Sequence, residues 1–147
     1  MRNLMLFGSL ASLAAAAVTA QSGVAIEKSV YLEREELRAG KPVRALEPAA
    51  EVRKGDTVVL MLEWHAPGRE NSFTVSSRVP RDLAFQRSGG HAPQVSVDGG
   101  RSWGRLASMR IGSRRASPED VTHLRWQVSD AQAAMGRGVI SYSAIVR

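Results

Sequence analysis

The sequence predicts an all-β protein, an antiparallel β-sandwich of about seven to nine strands preceded by a signal peptide. Three observations predict it. Apolar residues recur with period two in several short runs, the pattern of strands with one buried face. Glycine and proline clusters separate those runs. An apolar stretch of signal type stands at the N-terminus.

The N-terminal stretch "MRNLMLFGSLASLAAAAVTAQS" has Arg2 in a short basic region, then an apolar run from Leu4 to Val18. Val18 and Ala20 flank Thr19 as small residues at the positions a signal peptidase reads, so cleavage is expected between Ala20 and Gln21. The run is short and alanine-rich, whereas a membrane span takes roughly 20 strongly apolar residues. Residues 1–20 are therefore read as a leader and residues 21–147 as one exported domain, periplasmic or extracellular, with no membrane span after cleavage.

A first strand is expected in "GVAIEKSVYLER". Lys54-Gly55-Asp56 turns into the next, "DTVVLMLEWHA", where Val58, Leu60, Leu62 and Trp64 share one face. Ala66-Pro67-Gly68 ends it. "NSFTVSSRV" sets Phe73, Val75 and Ser77 against Ser72, Thr74 and Ser76. Breaks follow at Val79-Pro80-Arg81-Asp82 and Ser88-Gly89-Gly90. Ser117-Pro118-Glu119-Asp120 predicts one helical turn with a serine cap and proline in the first position. "THLRWQV" places Leu124, Trp126 and Val128 inward and His123, Arg125 and Gln127 outward. "DAQAAM" predicts a second helical turn. In "GVISYSAIVR" the buried set is Ile140, Tyr142, Ala144 and Val146.

About 127 residues after the leader suffice for one hydrophobic core. The chain has no cysteine, which removes disulfides, thiolate metal sites and thiol nucleophiles together. Its formal net charge is +6. Residues 21–66 hold seven basic and eight acidic side chains, while residues 67–147 hold twelve arginines and six acids. The second half thus carries the excess and would attract anionic partners, an acidic polysaccharide among them.

"SVDGGRSW", Ser96 to Trp103, resembles the Asp-box on the propeller blades of sialidases and other glycan-active proteins. It occurs once, in a chain too short for a propeller. Asp98, Gly99 and Gly100 are read as a structural turn: Asp-Gly is a strong hairpin signal, and the carboxylate can accept backbone N–H groups. Trp103, Arg101 and Arg105 are the candidate ligand or partner contacts.

The ordered set "AAEVRKGDTVVLMLEW", "SSRVPRDLAF", "PQVSVDGGRSWGRLASM", "SPEDVTHLRWQV" and "GVISYSAIVR" resembles a conserved-repeat domain of unknown function found in bacterial exported and surface proteins. The resemblance covers about residues 49 to 147. It departs at "LEWHAPGREN", where the family has an aromatic-rich strand and an Asn-Thr-Gly-like turn, and at "DAQAAMGRG", which replaces a glycine-rich turn. It implies an immunoglobulin-like exported module and assigns no catalytic residue.

The chemistry-bearing residues are sparse. His65, His91 and His123 stand in no metal-binding spacing. There is no nucleophile elbow and no phosphate-binding loop. Glu35-Glu36 and Glu119-Asp120 are adjacent in sequence, whereas glycosidase carboxylates face each other across a cleft. Arginines at 78, 81, 87, 101, 105, 110, 114 and 115 have only Phe85 and Trp103 among them, too few aromatics for a single-strand nucleic-acid reader. The expectation is a non-catalytic module with a structural or interaction role in the bacterial envelope or extracellular space. It needs no cofactor and no nucleic acid; its partners would be envelope proteins or an anionic polysaccharide. The alternative is a carbohydrate-binding or glycan-processing protein using the Asp-box-like hairpin and Trp103. Self-assembly by strand addition is a variant of the first, with residues 21 to 34 pairing to a neighbour's open sheet edge.

Overall fold

The computed structural model describes residues 18–20, 23–68 and 71–147. Its strands in chain order are β1 (Val18–Ala20), β2 (Ala25–Arg38), β3 (Lys41–Pro48), β4 (Thr57–His65), β5 (Phe73–Arg78), β6 (Leu83–Gly89), β7 (Gln94–Ser96), β8 (Arg110–Ile111), β9 (Arg114–Arg115), β10 (His123–Val128) and β11 (Arg137–Val146). One short helix, α1 (Asp130–Ala133), joins β10 to β11. One sheet has the order β1-β5-β10-β7 and a second the order β3-β2-β4-β11-β6; β8 and β9 form a separate two-stranded ribbon. Every strand pair is antiparallel. The protein is all-β, as the alternating runs predict.

The leader expected over residues 1–20 lies outside the described residues except for the backbone of β1. That backbone pairs with β5, Thr19 standing opposite Ser76.

Period two fixes which faces are buried. Val58, Leu60, Leu62 and Trp64 of β4 meet Phe73 and Val75 of β5 and Leu124, Trp126 and Val128 of β10 in one apolar cluster shared by the two sheets. Ring contacts cross between them. Trp64 meets Phe73 edge-on at 5.1 Å, and Trp126 stacks on Tyr142 at 6.1 Å. Tyr142 is fully buried, and its hydroxyl has no hydrogen-bond partner among the described residues. Burial pushes the pKa of that hydroxyl up to about 12.

Two further expectations hold in detail. Ser117 and Asp120 form a reciprocal capping box around the turn Pro118–Asp120, and Ser129 caps α1 with Gln132 in the same way.

The N-terminal segment differs from expectation. The first strand does not stop at Arg34; β2 runs on to Arg38 and folds back through Ala39 and Gly40, both with positive φ, into β3. This is a two-residue hairpin turn, whose primed geometry needs positive φ at both central positions. Ala25–Glu33 is laddered to β4, and Tyr31–Arg38 to β3. Beyond Glu33 the β2–β3 hairpin leaves the sheet as an exposed ribbon, and no residue from 33 to 48 belongs to the core. Its Arg34–Glu47 ion pair, at 2.6 Å, is solvent-exposed and contributes little.

Candidate functional site

Two features gather polar side chains around a defined surface. The first is the loop from Ser96 to Trp103. It returns antiparallel, but not as a tight two-residue turn. The chain closes on itself through Val95 and Gly104, which exchange backbone hydrogen bonds of 2.8 and 3.1 Å. Asp98 organises the interior. Its Oδ1 accepts from Arg101 N at 3.1 Å, Ser102 N at 2.9 Å and Ser96 Oγ at 2.8 Å; its Oδ2 accepts from Ser102 Oγ at 2.6 Å. Gly100 N donates to Ser96 Oγ, and Gly99 N to Thr122 Oγ1. Gly99 and Gly100 have φ of 79° and 92°, a region that L side chains rarely adopt.

The Ser102 hydroxyl, the Ser102 and Ser96 donors and the Arg101 amide hold the Asp98 carboxyl well below the usual carboxylate range. A carboxyl depressed in the folded state contributes stability that is complete above its unfolded value, near pH 4, and lost as pH falls through the folded one. Replacing Asp98 by Asn should therefore lower the melting temperature at neutral pH. It should also flatten the fall in melting temperature on acidification below about pH 4. An acid melting series that runs parallel for both proteins would remove this role.

The second feature is a cleft of about 840 Å³ where the β6–β7 connection passes over the ends of β10 and β11. Trp64 and Trp126 form part of its wall, and Gln94, Arg125, Gln127 and Arg137 stand around it. Both tryptophans are only 4% exposed, so they offer little open ring surface to the cleft. No carboxylate lines it among the described residues. A smaller hollow of about 410 Å³ includes Arg78, Arg81 and Arg147, but Glu119 and Asp120 share it. Asp120 there accepts both guanidinium nitrogens of Arg114, at 2.7 and 2.9 Å.

Arg125 links the loop and the cleft. Its Nε donates to Gln94 Oε1 at 2.7 Å, and its guanidinium lies 4.4 Å from the centre of the Trp103 ring. His123 approaches Trp103 edge-on at 6.4 Å, and Trp103 Nε1 donates to Gly100 O. Burial, and secondarily Arg78, lowers the His123 pKa. Trp103 is thus half-buried and engaged on several sides. Arg101 and Arg105 are exposed, and neither lines the cleft or the smaller hollow.

The alternation in "THLRWQV" puts Arg125 and Gln127 on an outward face, and nothing in the sequence groups them with Gln94 and Arg137. They converge because two connections far apart in sequence meet at one end of the sheets. No local signal carries that. The three histidines come together nowhere, and no group of three or more His, Asp or Glu side chains suited to a metal occurs among the described residues. No described helix is long and apolar enough to cross a membrane. Comparison with protein-family models, curated proteins and solved structures finds no match for this chain.

Proposed function

We propose that the chain is an exported, non-catalytic module of immunoglobulin-like sandwich type, working by interaction in the bacterial envelope or extracellular space. An acidic polysaccharide is the ligand its cleft suits. One observation carries this reading: the cleft sets Arg125 and Arg137 among the amides of Gln94 and Gln127, with no described carboxylate beside them. Arginine presents a fork of donors that matches a carboxylate, and amides hydrogen-bond hydroxyl groups. The excess of basic residues in the second half of the chain favours encounter with the same polymers.

The alternative, a glycan-processing protein working through the Asp-box-like loop, has less support. The Asp98 carboxylate is occupied by its own loop, and Arg125 covers Trp103, the ring that reading would use for stacking.

The test is calorimetric titration of the chain beginning at Gln21 with alginate, a polyuronate, and with dextran, a neutral glucan. Alginate should bind, more weakly as salt rises, and dextran should not. Arg137→Gln is exposed and should leave the melting curve unchanged while weakening alginate binding about tenfold, a loss on the scale of one charge-assisted hydrogen bond. Equal binding of both polymers, or full alginate binding by the variant, would overturn the assignment. N-terminal sequencing of the exported protein tests the leader separately.

A further inference from the structure

The two large sheets end on β3 and β6 and on β7 and β1. An exposed sheet edge is a template for another strand, and most of these edges carry a device against it. On β3, Arg38 and Lys41 flank the two-residue turn and form its hydrogen-bonded pair, so alternation turns the backbone of Pro42, Arg44, Leu46 and Pro48 outward. Two of those four positions are prolines with no N–H to offer. β6 carries a bulge at Gln86, where its register with β11 shifts between Arg87 and Phe85, and the Pro118–Asp120 turn packs against it. β7 is three residues long, and its far side is taken by the bridge from Val95 to Gly104.

The fourth edge is different. β5 carries no proline and no charge from Phe73 to Ser77. Val79 N donates to Thr122 O on the β10 side, so alternation directs the backbone groups of Thr74, Ser76 and Arg78 the other way. Among the described residues this row is covered only by the three residues of β1. Those three residues immediately precede the expected cleavage point.

We propose that removal of residues 1–20 uncovers the β5 edge and that a second copy of the processed chain takes the place of β1. The two β5 strands pair antiparallel about Ser76. This rests on the export reading. The edge accepts an antiparallel strand, since β1 already lies on it in that sense with Thr19 opposite Ser76. Self-pairing about Ser76 sets Thr74 against Arg78 of the second copy and Val75 against Ser77 of the second copy. No like charges face each other, although the chain as a whole is strongly basic. The contact is isologous and closes as a dimer, joining β5, β10 and β7 of each copy into one continuous sheet. The donor is β5 itself and not residues 21 to 34. Among the described residues, every core residue and every residue packed on the core lies between Val24 and Val146, and the processed chain keeps all of them.

Light scattering coupled to size exclusion, at equal concentrations, compares the chain beginning at Gln21 with the chain beginning at Val18. The first should show roughly double the monomer mass, and the second the monomer mass, because β1 occupies the edge. Ser76→Pro removes an outward N–H and should return the Gln21 chain to monomer mass. Ser76→Cys, in a chain with no other cysteine, should form an intermolecular disulfide in the Gln21 chain on oxidation. A monomeric Gln21 chain overturns the proposal, as does a dimer equally formed by the Val18 chain or by a folded Ser76→Pro variant. Should Ser76→Pro not fold, a dimer without the Ser76→Cys cross-link overturns it as well. The export reading fails on a different measurement, an exported protein whose N-terminus is not Gln21, and the mass comparison stands apart from that.

Discussion

Trp126→Ala should destabilise the protein by about 3–5 kcal/mol, the range for emptying a large aromatic site in a packed core. The ring is 4% exposed, stacks on Tyr142 across the sheets and donates from Nε1 to Ser88 Oγ at 3.2 Å. Its removal forfeits burial, a stacked contact and the partner of a hydroxyl in one step. Trp64→Ala removes the counterpart packed on Phe73 and belongs to the same range. Guanidinium melts with an unchanged slope and a lowered midpoint would report this loss. A shift equivalent to less than about 1 kcal/mol for both variants would mean that neither ring carries the core.

Gly138→Ala should cost about 1–3 kcal/mol, although it adds a single methyl group to a strand. Gly138 lies opposite Trp64 in the β4–β11 register, and a Cβ there would stand 2.5 to 2.7 Å from three atoms of the indole. Its φ is not positive, so the constraint is space and not backbone conformation. The wall is an aromatic ring already fixed by Phe73, and it has little freedom to yield. Because the two residues touch, their substitutions should not add. Trp64→Phe in the Gly138→Ala background should cost less than Trp64→Phe alone, since the smaller ring relieves the clash. Simple additivity in a double-mutant cycle would show that the close approach is not the cause.

The elements legible in the sequence are those with one dry face and one wet one. β4, β5, β10 and β11 alternate because the core demands an apolar residue at every second position. β3 and the outer half of β2 escaped the same reading. Their residues are mostly exposed, with only Val43 and Ala45 of β3 half-buried, so the alternation is too weak to be seen. The turn there is Ala39-Gly40, and alanine at positive φ is not a recognised turn signal. The β8–β9 ribbon is arginine-rich and exposed, and it leaves no hydrophobic trace. Within the candidate site, the Asp98 turn was legible from local chemistry, because its partners lie within four residues. The cleft was not. Its composition depends on where the β6–β7 and β10–β11 connections meet, and only the tertiary fold decides that. Ser96 illustrates the limit at a single position. It reads as an ordinary polar residue, yet it is fully buried, with its hydroxyl serving both Asp98 and Gly100.

The outer half of the β2–β3 hairpin contributes nothing to the core, and this gives the molecule two separable levels of stability. Opening that ribbon breaks a local ladder and the exposed Arg34–Glu47 pair but uncovers no residue of the apolar cluster, so it belongs to the class of local fluctuations that precede global unfolding. Its tip at Ala39-Gly40 is a permissive point in the chain. A peptide grafted there would be displayed at the end of a stalk, where the packing of the two sheets neither constrains it nor depends on it.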